Sequence, residues 1–179
     1  MVADWRAIGY EDGAKGLALS YLGNHRKACA EYGVKPDMER YEQGRLAGLQ
    51  EYCTPTNGYK LGVEGGRFNP VCKPPLADKF KQAWSQGNEV YNAGSRLKKS
   101  ERMLNKQQKY MATLQQQIDD TEAELVKDGI SSKRRKALLE ELKALNAELK
   151  DAESELSFLR DDVEADRDYL EQLKSNNLH

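Results

Sequence analysis

Three cysteines and one interior histidine carry most of the chemistry that this 179-residue chain could perform. Because three is an odd number, one disulfide would leave one free thiol. Cys53 and Cys72 each end an aromatic–glycine segment and each precede a proline-containing break, a pattern typical of two short helix ends joined by a bridge. Closing the loop of about 20 residues between them would contribute roughly 3 kcal/mol to stability. We therefore predict a disulfide between Cys53 and Cys72.

Zinc binding is the first alternative for the same residues. His25 and Cys29 are four residues apart on a predicted helix, so both side chains can approach one metal ion. With Cys53 and Cys72 they would complete a Cys₃His zinc site, although the sequence lacks the Cys-x-x-Cys pair that is typical of such sites. Free buried thiols are the second alternative. No cofactor is predicted unless the zinc site forms.

The remaining polar residues give little support to catalysis. The two histidines are His25 and His179, and the chain has no Gly-x-Ser-x-Gly or His-Glu-x-x-His motif. Glu11 and Asp12 could pair with His25 or Arg45 in a glycine-lined cleft. We predict that the chain is not an enzyme, and a cell-wall-acting hydrolase is the alternative.

Several short segments in the first half place an aromatic residue three positions before a glycine. Residues at this spacing share one face of a helix. A glycine inside a helix costs about 1 kcal/mol relative to alanine, so repeated glycines need a packing reason or a functional one. One interpretation is a ligand surface of notches and rings, and the favoured one is close helix–helix packing. The residues of this predicted face are Tyr10, Gly13, Tyr41, Gly44, Gly48, Tyr59 and Gly62.

The second half of the chain shows the repeat of a coiled coil. From Leu138 onward, apolar residues are spaced alternately by four and three positions, and Asp166 is the one interruption. An upstream stripe recurs every seven residues between Leu97 and Leu125. Loop-type residues near 128–132 separate the two stripes. We therefore predict two long helices that pack as an antiparallel coiled-coil hairpin with its tip near those residues.

A cluster of four cations follows the predicted tip. Cations in the first turn of a helix oppose the helix dipole, at a cost of about 0.3–1 kcal/mol each. An anionic partner at the tip would explain them, and neutralisation by Glu122, Glu124 and Asp128 across the turn is the favoured alternative. The candidate binding residues are Lys133, Arg134, Arg135 and Lys136.

Composition divides the chain into two segments. All five prolines, all three cysteines and most of the glycines precede residue 95. The sequence thus predicts an all-α protein in which a small Cys/Gly-rich helical module, residues 1–76, precedes the long antiparallel coiled-coil hairpin, residues 77–179. The helices are expected near 8–32, 37–53, 58–67, 77–127 and 132–174. A net charge of −1 gives no case for nucleic acid, and no apolar run approaches the roughly 18 residues that span a bilayer.

The first half also resembles a known group of proteins. Its motifs are Trp5-x-x-Ile-Gly-x-x-Asp-Gly-x-x-Gly16, His25-x-x-x-Cys29, Tyr41-x-x-Gly-Arg-x-x-Gly-Leu-x-x-Tyr-Cys53, Gly62-x-x-Gly65 and Val71-Cys72. Together they resemble an uncharacterised domain family found in envelope lipoproteins of Gram-negative bacteria, over about residues 4–95. The resemblance implies export, an oxidising compartment and often a lipid anchor, but no activity.

These observations predict a non-catalytic protein of the bacterial cell envelope. We expect it in the periplasm or at the inner face of the outer membrane, where it would bind a protein or another envelope component through its hairpin. Met103 and Tyr110 widen the upstream stripe to one side. That wider side would suit a second contact, including a homodimer. The zinc-stabilised module and the hydrolase are the alternative functions.

Overall fold

The computed structural model describes residues 3–176 of the chain. In this range the backbone forms α-helices and one 3-10 turn, Leu19–Tyr21, with no strand, and the all-α prediction is confirmed. His179 lies outside the described residues. The helices are α1 (Trp5–Ala14), α2 (Leu22–Ala30), α3 (Met38–Tyr52), α4 (Pro55–Val63), α5 (Leu76–Leu125) and α6 (Ser132–Asn176).

The chain divides into two compact units. Unit 1 is Met1–Asn92 and unit 2 is Ala93–His179. The boundary expected at residues 76/77 coincides with the start of α5. The first part of α5, up to Asn92, packs within unit 1, and the remainder forms half of unit 2.

Short polar side chains begin three of the helices in unit 1. The carboxylate of Asp4 accepts hydrogen bonds from the backbone N–H groups of Arg6 and Ala7 at the start of α1. Asp37 does the same for α3, and Thr54 for α4. Because the first N–H groups of a helix have no partner within the helix, these caps set where each helix starts.

The single helix expected over residues 8–32 is wrong. The chain leaves the helix after Ala14, and Gly16 adopts a left-handed conformation with φ of +68°. The backbone N–H of Leu17 then donates to the carbonyl of Asp12 and closes the helix end. The Tyr52 ring lies so near Gly16 that an added Cβ would overlap it. A glycine is therefore required here for both its φ angle and its size.

Glycines bring α1 and α3 into backbone contact. A Cβ added at Gly9 or Gly13 of α1 would lie about 2 Å from a carbonyl oxygen of α3, and one added at Gly44 or Gly48 of α3 would lie as close to α1. The contacts advance together along both helices, since Gly44 meets Arg6 and Gly48 meets the carbonyl of residue 10. The two helices therefore run parallel.

The same arrangement recurs between α4 and the start of α5. Gly58 and Gly62 of α4 approach the carbonyl oxygens of Phe80 and Trp84, and Gly87 of α5 approaches that of Tyr59. These two helices also run parallel, because the contacts again advance in the same direction. Tyr59 and Gly62 of the predicted packing face therefore lie at this second interface.

The two helix pairs are copies of one design. The motif Gly-Tyr-x-x-Gly-x-x-Gly occupies residues 9–16 in α1 and residues 58–65 in α4. Each motif ends in a glycine of positive φ covered by a tyrosine ring from the partner helix. Each pair also has one long side chain bonded to the backbone beyond that glycine: Arg45 Nε donates to the carbonyl of Leu17, and Trp84 Nε1 donates to that of Gly66, both at 2.9 Å.

Unit 2 is an antiparallel helical hairpin, as predicted. In α6, the side chains that are buried or half-buried all lie on the predicted seam, and the others are exposed. They are residues 138, 142, 145, 149, 152, 156, 159, 163, 166, 170 and 173. Gln107 Nε2 of α5 donates to the carbonyl of Ala152 in α6 at 3.1 Å, which fixes the facing levels of the two helices.

The interruption of the seam at Asp166 is a polar layer of the hairpin. Ser100, the corresponding break in the stripe of α5, donates to Asp166 Oδ2 at 2.6 Å, and Arg96 Nε donates to Oδ1 at 2.5 Å. The hydrogen bond from Ser100, followed by that from Arg96, lowers the pKa of the Asp166 carboxyl. Since only one axial register of the helices joins these groups, the layer specifies the register of the seam.

Candidate functional site

The predicted disulfide is present. Cys53 and Cys72 are bonded, with their Cα atoms 5.7 Å apart, and the Cys53 side chain is buried. Cys53 lies directly after α3, and Cys72 lies in the irregular segment before α5. The bond therefore ties the end of the first helix pair to the chain that leads into the second.

The alternative Cys₃His zinc site is not formed. Cys53 and Cys72 use their sulfur atoms in the disulfide, so neither offers a thiolate to a metal ion. Cys29 is a free thiol, half-buried beside the small core around Trp5. Across residues 3–176, no three His, Cys, Asp or Glu side chains are grouped as metal ligands. The residue that His25 contacts is Asp12.

A cluster of Asp12, His25 and Tyr41 joins three elements of unit 1. His25 Nε2 of α2 lies 2.7 Å from Asp12 Oδ2 of α1, and the Tyr41 hydroxyl of α3 donates to the same oxygen at 2.7 Å. Asp12 and Tyr41 are buried, whereas His25 is part-exposed and contacts the edge of the Tyr21 ring. One carboxylate therefore holds three helices together, and His25 links it to the surface.

Electrostatics in this cluster follow from its burial. Burial, and next the hydrogen bond to Asp12, raise the pKa of Tyr41, while the nearby charge of Arg45 opposes that rise. Arg45 is 7% exposed, and no carboxylate pairs with it within residues 3–176. Its Nε–H group bonds to the carbonyl of Leu17 instead. Tyr41 therefore stays protonated and acts as a hydrogen-bond donor.

The second helix pair is an internal comparison for this cluster. At the positions equivalent to Asp12, Tyr41 and Arg45 it carries the less polar residues Leu61, Phe80 and Trp84. The helix pair thus forms without a buried carboxylate. The fold alone therefore does not require the polar cluster of the first copy. Buried polar residues that the fold does not require are typical of functional positions.

The residues of the predicted glycine–aromatic face lie at helix interfaces. Gly13, Gly44 and Gly48 face backbone atoms of the partner helix, where they leave no room for a ligand. Tyr10 places its carbonyl against Gly48, and its hydroxyl donates to Glu51 Oε1 at 2.6 Å.

The cations after the hairpin tip differ in their contacts. Arg134 forms a two-pronged ion pair with Glu124, with both N···O distances at 2.8 Å. Hydrogen bonding from Arg134 lowers the pKa of the Glu124 carboxyl. Arg135 reaches the carbonyl of Leu125 at 3.4 Å. Lys133 and Lys136 are exposed and have no ion pair with any residue of the described range.

Fold and contacts together define an all-α protein with a disulfide-bonded helical unit and a helical hairpin. Residues 4–89 match the family model described as "Protein of unknown function (DUF2799)". No curated protein and no solved structure matches this chain. The resemblance to an uncharacterised domain family is thereby confirmed, while the envelope location stays a prediction. In residues 3–176, no helix is apolar over a long enough stretch to cross a membrane.

Sequence reasoning paired Asp12 with His25 or Arg45 and missed Tyr41. The repeated Gly-Tyr-x-x-Gly-x-x-Gly motif in the sequence could have indicated this cluster. Aligning its two copies would have set Asp12 against Leu61 and marked the carboxylate as an exception. The repeat is not evident from single aromatic–glycine segments, because the repeated unit is a pair of helices.

Proposed function

We propose that this chain is a non-catalytic binding or scaffolding protein of a Gram-negative cell envelope. It would act in the periplasm or at the inner face of the outer membrane, with or without a lipid anchor. Its partner would be a protein or another envelope component that contacts the hairpin. Nucleic acid is not expected as a partner, because the net charge of the chain is only −1.

The observation that carries the proposal is the hairpin itself. At 1.5 Å per residue, α6 is about 65 Å long, and its buried side chains are confined to the seam. Most of its surface is therefore available to other molecules. A long helical hairpin of this kind is suited to holding or spacing partners.

The disulfide supports the location. Disulfides persist in the periplasm and are rare in the cytosol, where thiols are kept reduced. The Cys53–Cys72 bond joins two parts of unit 1 and includes a buried sulfur. Because this bond joins two parts of the folded unit, it favours an oxidising compartment, in which it would persist.

Thiol trapping in cells tests the location. Cells expressing the full chain are quenched with acid, and free thiols are labelled with a maleimide that adds mass. We expect one added mass, on Cys29, with the other two thiols protected until a reductant is present. Labelling of all three cysteines in the native gene's host, together with recovery in the cytosolic fraction, would overturn the envelope assignment.

The tip of the hairpin is the candidate for a contact with an anionic partner. Lys133 and Lys136 form no ion pair within residues 3–176, whereas Arg134 is already bound to Glu124. Two unpaired cations in the first turn of α6 oppose the helix dipole, and an anionic group on a partner would relieve this cost.

Charge reversal tests the tip as the contact. The variant Lys133→Glu, Lys136→Glu should lose at least tenfold in retention by immobilised envelope extract, with the far-UV circular dichroism unchanged. The matched control is Lys143→Glu, Lys150→Glu, which reverses two exposed lysines of the same helix away from the tip. Equal retention of both variants would show that the tip makes no contact.

One contact favours a second candidate function, a cell-wall-acting hydrolase. Asp12 orients His25 through Nε2, which leaves Nδ1 as a proton acceptor of the kind used in general base catalysis. A hydrolase should release soluble fragments from purified peptidoglycan, and His25→Gln should abolish that release while Cys29→Ser preserves it. Absence of release by the wild-type chain would remove this candidate.

A further inference from the structure

The outer face of α5 in unit 2 carries a stripe of cations. A helix advances about 100° per residue, so five exposed side chains fall within about one quadrant of the helix, on the side opposite the seam. We call this set the basic stripe: Lys98, Lys99, Arg102, Lys106 and Lys109. Within the described residues none of the five forms an ion pair. Like charges at this spacing disfavour a helix unless something compensates them.

An acidic row lies on one flank of the same hairpin. The Arg96 guanidinium of α5 lies 4.9 Å from the centre of the Tyr169 ring of α6, so these two positions face each other along that flank. Residues spaced by sevens from each continue the two facing rows. On α5 the row continues through Met103 and Tyr110, and on α6 it continues through Asp162, Glu155 and Glu148.

These acids are also without partners. None of Glu148, Glu155 and Asp162 has an ion pair within the described part of the chain. The facing row of α5 supplies the uncharged residues Met103, Tyr110 and Gln117. Met103 is 48% exposed and Tyr110 is 44% exposed. Phe158 lies one turn from both Glu155 and Asp162 and is 71% exposed. The flank is therefore acidic with exposed apolar groups.

The basic stripe and the acidic row occupy the same length of the hairpin. The bond from Gln107 to the carbonyl of Ala152 shows which residues share one level. Because the helices are antiparallel, Glu155 and Asp162 lie three and ten residues after residue 152, at the level of the stripe. The apolar strip of Met103 and Tyr110 lies between the two charged sets, since on α5 it separates the stripe from the seam.

A surface with cations on one side of an apolar strip and anions on the other is complementary to itself. A two-fold axis that runs along the strip places the cations of one copy against the anions of the other, and the reverse. We propose that this face of unit 2 binds a second copy of the chain, with the two hairpins parallel and with Met103 and Tyr110 at the centre. The inference does not depend on the compartment in which the chain acts.

Sedimentation equilibrium of the full chain tests the proposal. We expect a monomer–dimer equilibrium between about 1 µM and about 1 mM, and weaker association in 1 M salt than in dilute buffer, because the salt screens the ion pairs. A monomer at every concentration in dilute buffer would refute the proposed face.

Charge exchange makes the test specific. Arg102→Glu with Lys106→Glu should weaken the dimer by about tenfold or more, and so should Glu155→Lys with Asp162→Lys. All four changes in one chain should restore the dimer, because the contacts between these four positions then exist with their signs exchanged. If the combined variant stays as weak as either pair alone, the assigned contact is wrong.

A matched control separates specific contacts from net charge. The variant Lys143→Glu, Lys150→Glu changes the net charge by the same amount as the stripe variant, from positions outside the proposed face. Its dimer should be as strong as that of the wild type. Equal weakening by both variants would attribute the effect to net charge and overturn the proposal.

Discussion

Replacing Gly48 by alanine should destabilise unit 1, although alanine is the better helix former. In the structure a Cβ at this position would lie 2.1 Å from the carbonyl oxygen of Tyr10, where an ordinary contact is 3.4–4 Å. The helices α1 and α3 would have to separate by about 1 Å, because the atom that is met belongs to the backbone and cannot rotate away.

The magnitude follows from three effects. Overpacking of this kind costs about 1–3 kcal/mol, and separation of the helices weakens the hydrogen bond from Tyr41 to Asp12, worth about 1 kcal/mol. The higher helix propensity of alanine offsets about 1 kcal/mol of this loss of stability. The net loss is about 1–3 kcal/mol, which corresponds to a decrease of about 5–20 °C in the melting temperature of a unit of this size.

Tryptophan fluorescence is the appropriate assay, because both tryptophans, Trp5 and Trp84, lie in unit 1. Far-UV circular dichroism reports mainly on the hairpin and should show little change. The control is Gly23→Ala in α2, where an added Cβ meets no atom within 4 Å, and this variant should be neutral or slightly stabilising. If Gly48→Ala melts like the wild type, or if Gly23→Ala is equally harmful, the account of the glycine interface is incorrect.

Three further predictions concern the disulfide, the polar layer and the tip. Removing the disulfide with Cys72→Ala should cost about 3 kcal/mol in urea unfolding followed by tryptophan fluorescence, and an unchanged midpoint would contradict it. The folded-state pKa of Asp166 is lowered, so its stabilisation is present above the unfolded pKa and lost as pH falls through the folded value. Melting of the hairpin should therefore decline on acidification more steeply in the wild type than in Asp166→Asn, and parallel pH profiles would exclude this role. Arg134→Gln removes an exposed ion pair, so the melting temperature should hardly change, and a large decrease would show that the tip controls the hairpin.

The hairpin was predictable because its signal is local and periodic. A seam needs only an apolar residue at every third or fourth position, and the position of each is visible in the sequence. Asp166 and Ser100 looked like two separate defects of the pattern. They became a single polar layer only when the two helices were set side by side, since the register of a hairpin is a relation between distant residues.

The disulfide and the helix interfaces of unit 1 show what residue type and spacing can predict and what they cannot. Spacing indicated that Cys53 and Cys72 follow equivalent segments, and that was sufficient to predict the bond now present. The break at Gly16 was not visible, because a glycine inside a helix and a glycine in a left-handed turn look alike in a sequence. The Tyr52 ring above Gly16, contributed by another helix, distinguishes the two cases.

The sequence by itself determined the helical class, the seam of the hairpin and the pair of cysteines, because each depends on residue type and on spacing along one segment. Only the tertiary structure decided that α1 packs parallel to α3 and α4 parallel to the start of α5, as two copies of one design, and that Asp12 holds Tyr41 and His25. The physical reason is that backbone contact between helices and the sharing of one carboxylate by three elements depend on positions in space. Neighbours along the chain do not encode those positions.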